Sequence, residues 1–180
     1  MNQEIYTILS AAHFAADKHA GQKRKGANGE PYINHLIEVA HLVSTSLSEP
    51  DADLVAAALL HDTIEDTSVT AKELTERFGQ DVTDLVLELT DDKSLPKAVR
   101  KRLQIEHASK LTLRAQIIKI ADKISNLRAI LVSPPVDWDY ERKREYFNWG
   151  KQVVDGLTAP NEILKAEFEK TYQRFDEVQK

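Results

Sequence analysis

Acidic residues and a histidine are concentrated where the most hydrophobic segment of the chain ends. His61 and Asp62 follow the apolar run 54–60, and Glu65 and Asp66 come four residues after them. Residues four apart share one face of a helix, so these side chains would line one cleft if the helix continues. Three neighbouring carboxylates repel one another unless a cation lies between them. The cluster indicates a divalent-cation site; the alternative is a helix end that runs into a solvated acidic turn.

A second apolar segment carries another polar pair that faces inward. Asp122 and Asn126 are one helical turn apart, and isoleucine, alanine and leucine residues flank them. A buried aspartate needs a partner, because an unpaired one costs free energy of folding. The partner of Asp122 is therefore either a metal ion or an arginine from another helix.

One more histidine would complete a ligand set. His35 begins a helix after a turn-rich loop, where a lone histidine is more often a cap or a surface residue. Together with His61, Asp62 and Asp122 it would supply two imidazoles and two carboxylates. Such a set suits one Mn or Fe ion with positions left for water. Zn is not excluded, although without cysteine no thiolate ligand argues for it. His13, His19 and His107 lie beside charged residues and are assigned to the surface.

Helical periodicity positions these residues. The predicted helices cover roughly residues 5–16, 34–45, 51–60, 70–79, 82–89, 96–109, 117–131, 139–157 and 161–178. The helix 51–60 is nearly all apolar and should be central and buried, and 117–131 should form a second buried helix. No segment alternates long enough to predict a strand. The pattern predicts an all-α, compact helical bundle formed by residues 1–180 as a single domain.

Composition narrows the class of protein. The chain has 180 residues, 42% hydrophobic and 29% charged, which is ordinary for one globular domain. The longest apolar run is far shorter than a membrane span, and the start lacks a basic secretory signal. No cysteine is present, which is compatible with a cytoplasmic location. A net charge of −5 argues against general affinity for nucleic acid or anionic membrane.

Basic residues nevertheless form two local clusters in this acidic chain. One comprises residues 23–25, and the other comprises Lys97, Arg100, Lys101 and Arg102. Such clusters are either solvated helix ends or parts of a phosphate pocket.

The order of these residues matches a known family. The resemblance is carried by Arg24 and by the stretches 29–35, 59–67 and 119–127. Two further stretches, 91–97 and 146–149, also fit the family. The chain resembles the HD superfamily of metal-dependent phosphohydrolases, and within it the hydrolase domain of RelA/SpoT proteins. It is most similar to the small, single-domain alarmone hydrolases, the group that includes a metazoan SpoT homologue. It departs from the usual pattern at Leu36, commonly Pro, and at Ser125, commonly Asn or Tyr.

The resemblance implies Mn²⁺-dependent hydrolysis of ppGpp or pppGpp at the 3′ position, giving GDP or GTP and pyrophosphate. It implies that the metal ligands are His35, His61, Asp62 and Asp122, and that Glu65 and Asp66 are the catalytic pair. The implied substrate-binding residues are Arg24, Lys25, Lys97, Asn126, Arg142 and Tyr146.

Other functions remain open from the sequence. Members of this group also remove the 2′-phosphate of NADPH, and other HD enzymes act on nucleoside monophosphates. A non-catalytic nucleotide-binding module and a purely structural bundle are further alternatives, but the second leaves the buried carboxylates without a purpose. The sequence is compatible with a homo-oligomer and does not predict its size.

Overall fold

The protein is built from α-helices joined by short loops. The computed structural model describes residues 2–158 and 161–178. The helices are α1 (Gln3–Lys18), α2 (Ile33–Ser46), α3 (Ala52–Leu60), α4 (Thr63–Asp66), α5 (Ala71–Phe78), α6 (Gln80–Leu89), α7 (Lys97–His107), α8 (Leu113–Val132), α9 (Tyr140–Asp155) and α10 (Glu162–Val178), with a 3₁₀ turn at Ala108–Lys110.

The predicted all-α class is confirmed. Across residues 2–158 and 161–178, extended pairing is limited to one isolated bridge between Lys23 and Pro31. None of the described helices combines the length and the apolar character needed to cross a bilayer. Residues 1, 159–160 and 179–180, which the single-domain prediction includes, lie outside the described residues.

The two helices predicted to be buried, α3 and α8, lie at the centre. Every residue from Leu54 to Leu60 of α3 is buried, and α3 packs against α1, α2 and α6. Helix α8 packs against α2, α9 and α10. Burying a leucine side chain contributes about 1.5 to 3 kcal/mol, so this pair of helices is the main source of stability near the site.

The first turns of α3 and α8 are joined by a bidentate ion pair. Asp51 caps α3, where its Oδ1 accepts a hydrogen bond from Leu54 N at 2.9 Å. Arg114, in the first turn of α8, donates to Asp51 Oδ2 at 3.0 Å and to Oδ1 at 2.9 Å. This planar fork-to-carboxylate contact restricts how the two helices can rotate relative to each other.

The helix that carries the acidic cluster does not continue unbroken. α3 ends at Leu60 and α4 begins at Thr63, so His61 and Asp62 lie between the two helices. Asp66 N still donates to Asp62 O at 2.8 Å, which keeps the four-residue spacing that the sequence predicted. The break therefore changes the direction of the chain without separating the acidic pairs.

Candidate active site

Four side chains from α2, the α3–α4 junction and α8 converge on one point. His35 Nε2 lies 3.6 Å from Asp62 Oδ2 and 3.4 Å from Asp122 Oδ1. His61 Nε2 lies 3.2 Å and 3.8 Å from the same two oxygens. Both imidazoles are almost fully buried, with exposed fractions of 2% and 5%. The structure thus brings together all four predicted metal ligands.

The outer nitrogen of each histidine is held by an oxygen acceptor. His61 Nδ1 lies 2.8 Å from Ala58 O, a carbonyl that can only accept. His35 Nδ1 lies 2.9 Å from Ser125 Oγ, whose own proton is donated to Glu38 Oε2 at 2.7 Å. Both Nδ1 atoms are therefore donors, and a neutral ring then directs the lone pair of Nε2 into the cluster.

The donor set fits a divalent cation. His61 Nε2 is buried and has no hydrogen-bond partner, although Asp62 is close to it. Adjacent ligands around an ion with bonds of about 2.1 Å lie roughly 3.0 to 3.4 Å apart, close to the nitrogen–oxygen distances of the cluster. His35, His61 and Asp62 each direct one donor atom into a common space, and Asp122 Oδ1 faces both histidines. A shared cation explains this convergence better than four separate hydrogen bonds.

The electrostatics of the cluster also favour a cation. Burial lowers the pKa of His61, but the charges of Asp62 and Asp122 outweigh it and raise that pKa to about 10. Burial raises the pKa of both aspartates, yet the neighbouring positive charge of His61 or Lys123 holds each pKa well below its usual range. The pocket keeps both carboxylates ionised and stabilises positive charge beside them.

Other side chains fix the orientation of the two carboxylates. Tyr32 Oη donates to Asp62 Oδ2 at 2.6 Å, and burial raises the pKa of Tyr32, so its hydroxyl stays protonated. Lys123 Nζ donates to Asp122 Oδ2 at 3.0 Å, and Asn126 Nδ2 donates to Asp122 Oδ1. The partners of a metal ligand set its direction and basicity, so these three residues are part of the site.

A chain of polar contacts continues behind His35. Glu38, which accepts from Ser125, also accepts from Arg128 NH1 at 2.9 Å. Arg128 NH2 donates to Glu167 of α10. Sequence analysis missed this chain, because its members lie on three separate helices and none belongs to a recognisable ligand spacing.

The predicted catalytic pair lies on α4, beside the loop between α6 and α7. Glu65 Oε2 accepts from Asp91 N at 2.9 Å, and Glu65 Oε1 lies 3.6 Å from Arg100 NH1. Asp66 Oδ2 accepts from Gln22 Nε2 at 3.2 Å, and its other oxygen pairs with Lys93. The structure places both carboxylates within one polar network.

Burial and several neighbouring groups act on the pKa of Glu65. Burial raises its pKa, the Asp91 amide lowers it, and the charges of Asp62, Asp91 and Asp66 raise it, so the pKa lies above that of an ordinary glutamate. A carboxyl group whose pKa moves toward neutral both accepts and releases protons more readily at working pH.

Two of the predicted substrate-binding residues are linked to the histidine–aspartate cluster through hydrogen bonds. Arg24 NH2 donates to Asn126 Oδ1 at 2.9 Å, and Asn126 in turn donates to Asp122. Arg24 NH1 lies 3.5 Å from Ser125 Oγ. Arg24 is thereby positioned at the rim of the cluster, with its guanidinium only partly used.

Three further predicted residues share a cationic surface. Burial lowers the pKa of Lys97, and the nearby charges of Lys25, Arg142 and Arg100 lower it further. Like charges are placed together at a cost in free energy, and an anionic ligand would remove that cost. The sequence did not assign Arg100 to this group, although it lies in the same basic cluster as Lys97.

An aromatic cluster forms another side of the site. The ring of Tyr146 packs against Trp138 and Trp149 with centroid distances of 5.4 and 5.1 Å. Burial raises the pKa of Tyr146, and the charges of Asp122 and Arg24 also act on it. Tyr146 lies within this aromatic cluster, and its role in substrate binding stays a prediction.

The assignment of His19 to the surface was wrong. Its exposed fraction is 2%, and its ring stacks on Tyr32 with centroids 5.2 Å apart. His19 Nδ1 lies 2.6 Å from Gln22 Oε1. The residue follows the last turn of α1, where the loop that carries Tyr32 covers it, and periodicity does not predict such a loop contact. His13 and His107 are exposed, as predicted.

A buried histidine–aspartate cluster on a helical scaffold defines the HD class of protein. The family model of the HD domain matches residues 11–146, and the chain belongs to that family. Within it the chain belongs with the MESH1 proteins. It is 46% identical over 169 residues to the guanosine-3′,5′-bis(diphosphate) 3′-pyrophosphohydrolase MESH1 of Xenopus tropicalis, covering 94% of each chain.

Two further comparisons support this placement. The chain is 47% identical to MESH1 of Homo sapiens over 165 residues, 92% of each chain. The structure superposes with a TM-score of 0.89 on a metazoan orthologue of SpoT that is described as hydrolysing ppGpp and acting in starvation responses. That match has 43% sequence identity and covers 93% of this chain and 94% of the other. The HD fold and the predicted RelA/SpoT resemblance are confirmed.

Proposed function

We propose that this protein is a metal-dependent hydrolase that removes pyrophosphate from the 3′ position of guanosine 3′,5′-bis(diphosphate). The products are GDP from ppGpp and GTP from pppGpp, each with pyrophosphate. The observation that carries the proposal is the complete cluster of two histidines and two aspartates, with buried Nε2 atoms directed inward, beside a cationic surface. The MESH1 relatives match over nearly the whole chain and carry the same named activity.

In this proposal, one divalent cation is held by His35, His61, Asp62 and Asp122. Mn²⁺ is the proposed ion, and Fe or Zn are the alternatives. A bound cation polarises a phosphoryl oxygen and lowers the pKa of a bound water from about 15.7 toward about 7 to 9. The protein's contribution is to keep both imidazoles in one tautomer and both carboxylates ionised, as Ala58, Ser125 and Lys123 do.

Glu65 and Asp66 are proposed to orient the attacking water and to take up its proton. The raised pKa of Glu65 favours it as the group that holds the proton. Asp66 is held by Gln22 and Lys93, so it is the better oriented of the two as a fixed acceptor. Neighbouring cations then stabilise the ionised form of each carboxylate after the proton has left.

The phosphate groups are proposed to bind the cationic surface. Arg24 has a planar fork that can hold a phosphate through two hydrogen bonds, and Lys25, Lys97 and Arg142 add positive charge around it. Asn126 would fix Arg24, and Tyr146 would offer a ring face and a hydroxyl to the nucleoside. A local positive surface on a chain of net charge −5 would also attract a polyanion from solution.

We also propose that residues 1–180 act as one domain, in the cytoplasm, on free guanosine tetra- or pentaphosphate. The absence of cysteine is compatible with a reducing compartment. The acidic net charge argues against general affinity for nucleic acid or anionic membrane. A homo-oligomer is compatible with this proposal, and light scattering on the purified protein measures its size.

The deciding experiment is a substrate panel. Protein loaded with Mn²⁺ is incubated with ppGpp, pppGpp, NADPH and GMP, and products are separated by anion exchange, with EDTA-treated protein as control. We expect pyrophosphate together with GDP or GTP, and no turnover in EDTA. Orthophosphate released from NADPH or GMP while ppGpp stays intact would replace the proposed substrate with one of the alternatives.

A further inference from the structure

Gln104 of α7 uses both ends of its side-chain amide to join two sides of the site. Its Oε1 accepts from Lys123 Nζ at 2.9 Å, and its Nε2 donates to Asp91 Oδ2 at 2.7 Å. Lys123 contacts a proposed metal ligand, and Asp91 contacts a proposed catalytic residue. Neither the sequence pattern nor the proposed function assigns a role to Gln104.

On the metal side, the contact runs through Lys123 to Asp122. Lys123 has an exposed fraction of 3%, and its Nζ donates to Asp122 Oδ2 at 3.0 Å. The other oxygen of Asp122 faces the two histidines, so Lys123 determines how far the carboxylate can rotate. Lys123 Nζ also lies 4.4 Å from the ring centre of Trp149. With Gln104 as its third neighbour, the buried ammonium group has a defined position.

On the other side, the contact runs through Asp91 to Glu65. The backbone N–H of Asp91 donates to Glu65 Oε2 at 2.9 Å. Asp91 belongs to the loop between α6 and α7, so the position of its amide depends on what holds that loop. The hydrogen bond from Gln104 holds the Asp91 side chain and thereby restricts the amide that binds Glu65.

Because of how α7 packs, these contacts help to position the helix. No residue of α7, from Lys97 to His107, is buried. A helix without buried side chains is positioned by its polar contacts and loops more than by a core. Trp149 Nε1 donates to Lys101 O at 3.0 Å and provides one anchor, and Gln104 provides another that reaches both α8 and the loop.

We propose that Gln104 is a positioning residue that couples the proposed metal ligand Asp122 to the proposed catalytic carboxylate Glu65. It acts through Lys123 and Asp91 and does not itself contact the reacting atoms. The inference rests on the proposed function for its kinetic consequence, whereas its effect on metal affinity is independent of the substrate.

The test uses two substitutions of Gln104 and a change of its partner. Gln104→Met keeps the approximate length of the side chain and removes both hydrogen bonds. Gln104→Glu keeps an acceptor for Lys123 but sets a carboxylate against Asp91. Adding Asp91→Asn to Gln104→Glu restores a donor–acceptor pair with the roles exchanged. Glu106→Gln is the matched control, because Glu106 is exposed on the same helix and pairs with Arg102.

Two quantities are measured on each full-length variant: kcat and KM for ppGpp, and the Kd for Mn²⁺ by calorimetry. We expect Gln104→Met to lower kcat roughly tenfold with KM within about twofold, and to weaken Mn²⁺ binding by roughly threefold to tenfold. The melting temperature of Gln104→Met should fall by only about a few degrees, since Gln104 is partly buried and Lys123 keeps its contact with Asp122. Gln104→Glu should lose more activity, and Asp91→Asn should recover most of it.

The outcomes separate the inference from the proposed function. Parent-like kcat and Kd in Gln104→Met, or no recovery of Gln104→Glu by Asp91→Asn, would overturn the positioning role. If the parent and Glu106→Gln do not hydrolyse ppGpp, yet Gln104→Met still weakens Mn²⁺ binding, the proposed function fails and the coupling to Asp122 stands.

Discussion

The two sides of the candidate site are constructed in opposite ways. On the metal side, His35, His61 and Asp122 are buried, and each donor group has an outer partner that fixes its orientation. On the other side, the cationic surface proposed to bind phosphate, no residue of α7 is buried and Lys25 is exposed. The groups proposed to hold an ion are therefore desolvated and constrained. The groups proposed to attract a polyanion are hydrated and adjustable.

The two sides also differ in how their charges are arranged. In the metal cluster, opposite charges lie together, and the pKa of each aspartate is held down by a cation nearby. On the side proposed to bind phosphate, like charges lie together, and the pKa of Lys97 is lowered by partial desolvation and further by its positively charged neighbours. The first arrangement is stable before substrate arrives, whereas the second becomes favourable when a polyanion binds.

If this contrast is correct, the largest effect should come from Asp62→Ala. Removing this carboxylate leaves the two buried imidazoles with one shared carboxylate, that of Asp122, in place of two, and both metal and activity should be lost. We expect kcat/KM to fall on the order of a thousandfold or more. Metal content by plasma mass spectrometry, measured with and without added Mn²⁺, checks the cause. Activity that persists in a metal-free Asp62→Ala protein would contradict the proposed centre.

Glu65→Gln should come next, because it alters proton handling and leaves the ion in place. We expect metal content near that of the parent and a kcat lower by about a hundredfold to ten-thousandfold. The raised pKa also predicts a pH effect. Glu65 works as a base when ionised, so the activity of the parent should fall as pH drops through a pKa above the ordinary value of about 4.3.

The test is a profile of kcat against pH at saturating Mn²⁺. The fall of activity at low pH, its acid limb, should be missing or displaced in Glu65→Gln. The partners of Glu65 that could shift the limb are Asp91, Lys93 and Arg100, together with the charges of Asp62 and Asp66. Equal loss of metal in Glu65→Gln and Asp62→Ala would show that Glu65 is itself a ligand.

Arg24→Lys should have an intermediate effect, since Arg24 belongs to both sides. Lysine preserves the charge but cannot hold both Asn126 and a phosphate through a planar fork. We expect kcat/KM for ppGpp to fall roughly tenfold, with the metal Kd unchanged. Steady-state kinetics measures kcat/KM, and a metal titration measures the Kd. Parent-like kinetics would return the basic residues 23–25 to a solvated surface role.

Lys25→Gln should have the smallest effect and the strongest dependence on salt. Lys25 is exposed, so the melting temperature should hardly change, while KM should rise about twofold to fivefold. The rise should shrink between about 0.05 and 0.5 M salt, because screening weakens the attraction of exposed charges first. A KM difference that stays constant over this range would mean that Lys25 makes a desolvated contact.

The same contrast explains what could be predicted from the sequence. The apolar patterns of α3 and α8 predicted the central helices, and the family spacing predicted the metal cluster, because both signals lie within short stretches of chain. Lys123, Gln104 and the pair Glu38–Ser125 gave no such signal. Apart from the contact of Lys123 with Asp122, their partners lie on other helices or in a loop, and a polar side chain on an amphipathic helix resembles a solvated one until packing is known. His19 was misassigned because its partners, Tyr32 and Gln22, lie in the segment between α1 and α2, where periodicity gives no signal.

The two histidines of the cluster differ in whether a mutation can remove the hydrogen-bond acceptor of their Nδ1 atom. The acceptor behind His61 is the carbonyl of Ala58, which every amino acid supplies, so no side-chain change at position 58 deletes it. The acceptor behind His35 is the hydroxyl of Ser125, a position at which this chain already departs from the pattern of the proteins it resembles. Variation among homologues can therefore alter the environment of one ligand while the other keeps its backbone partner. A single substitution at position 125 can thus change the outer partner of His35, whereas no side-chain substitution at position 58 removes that of His61.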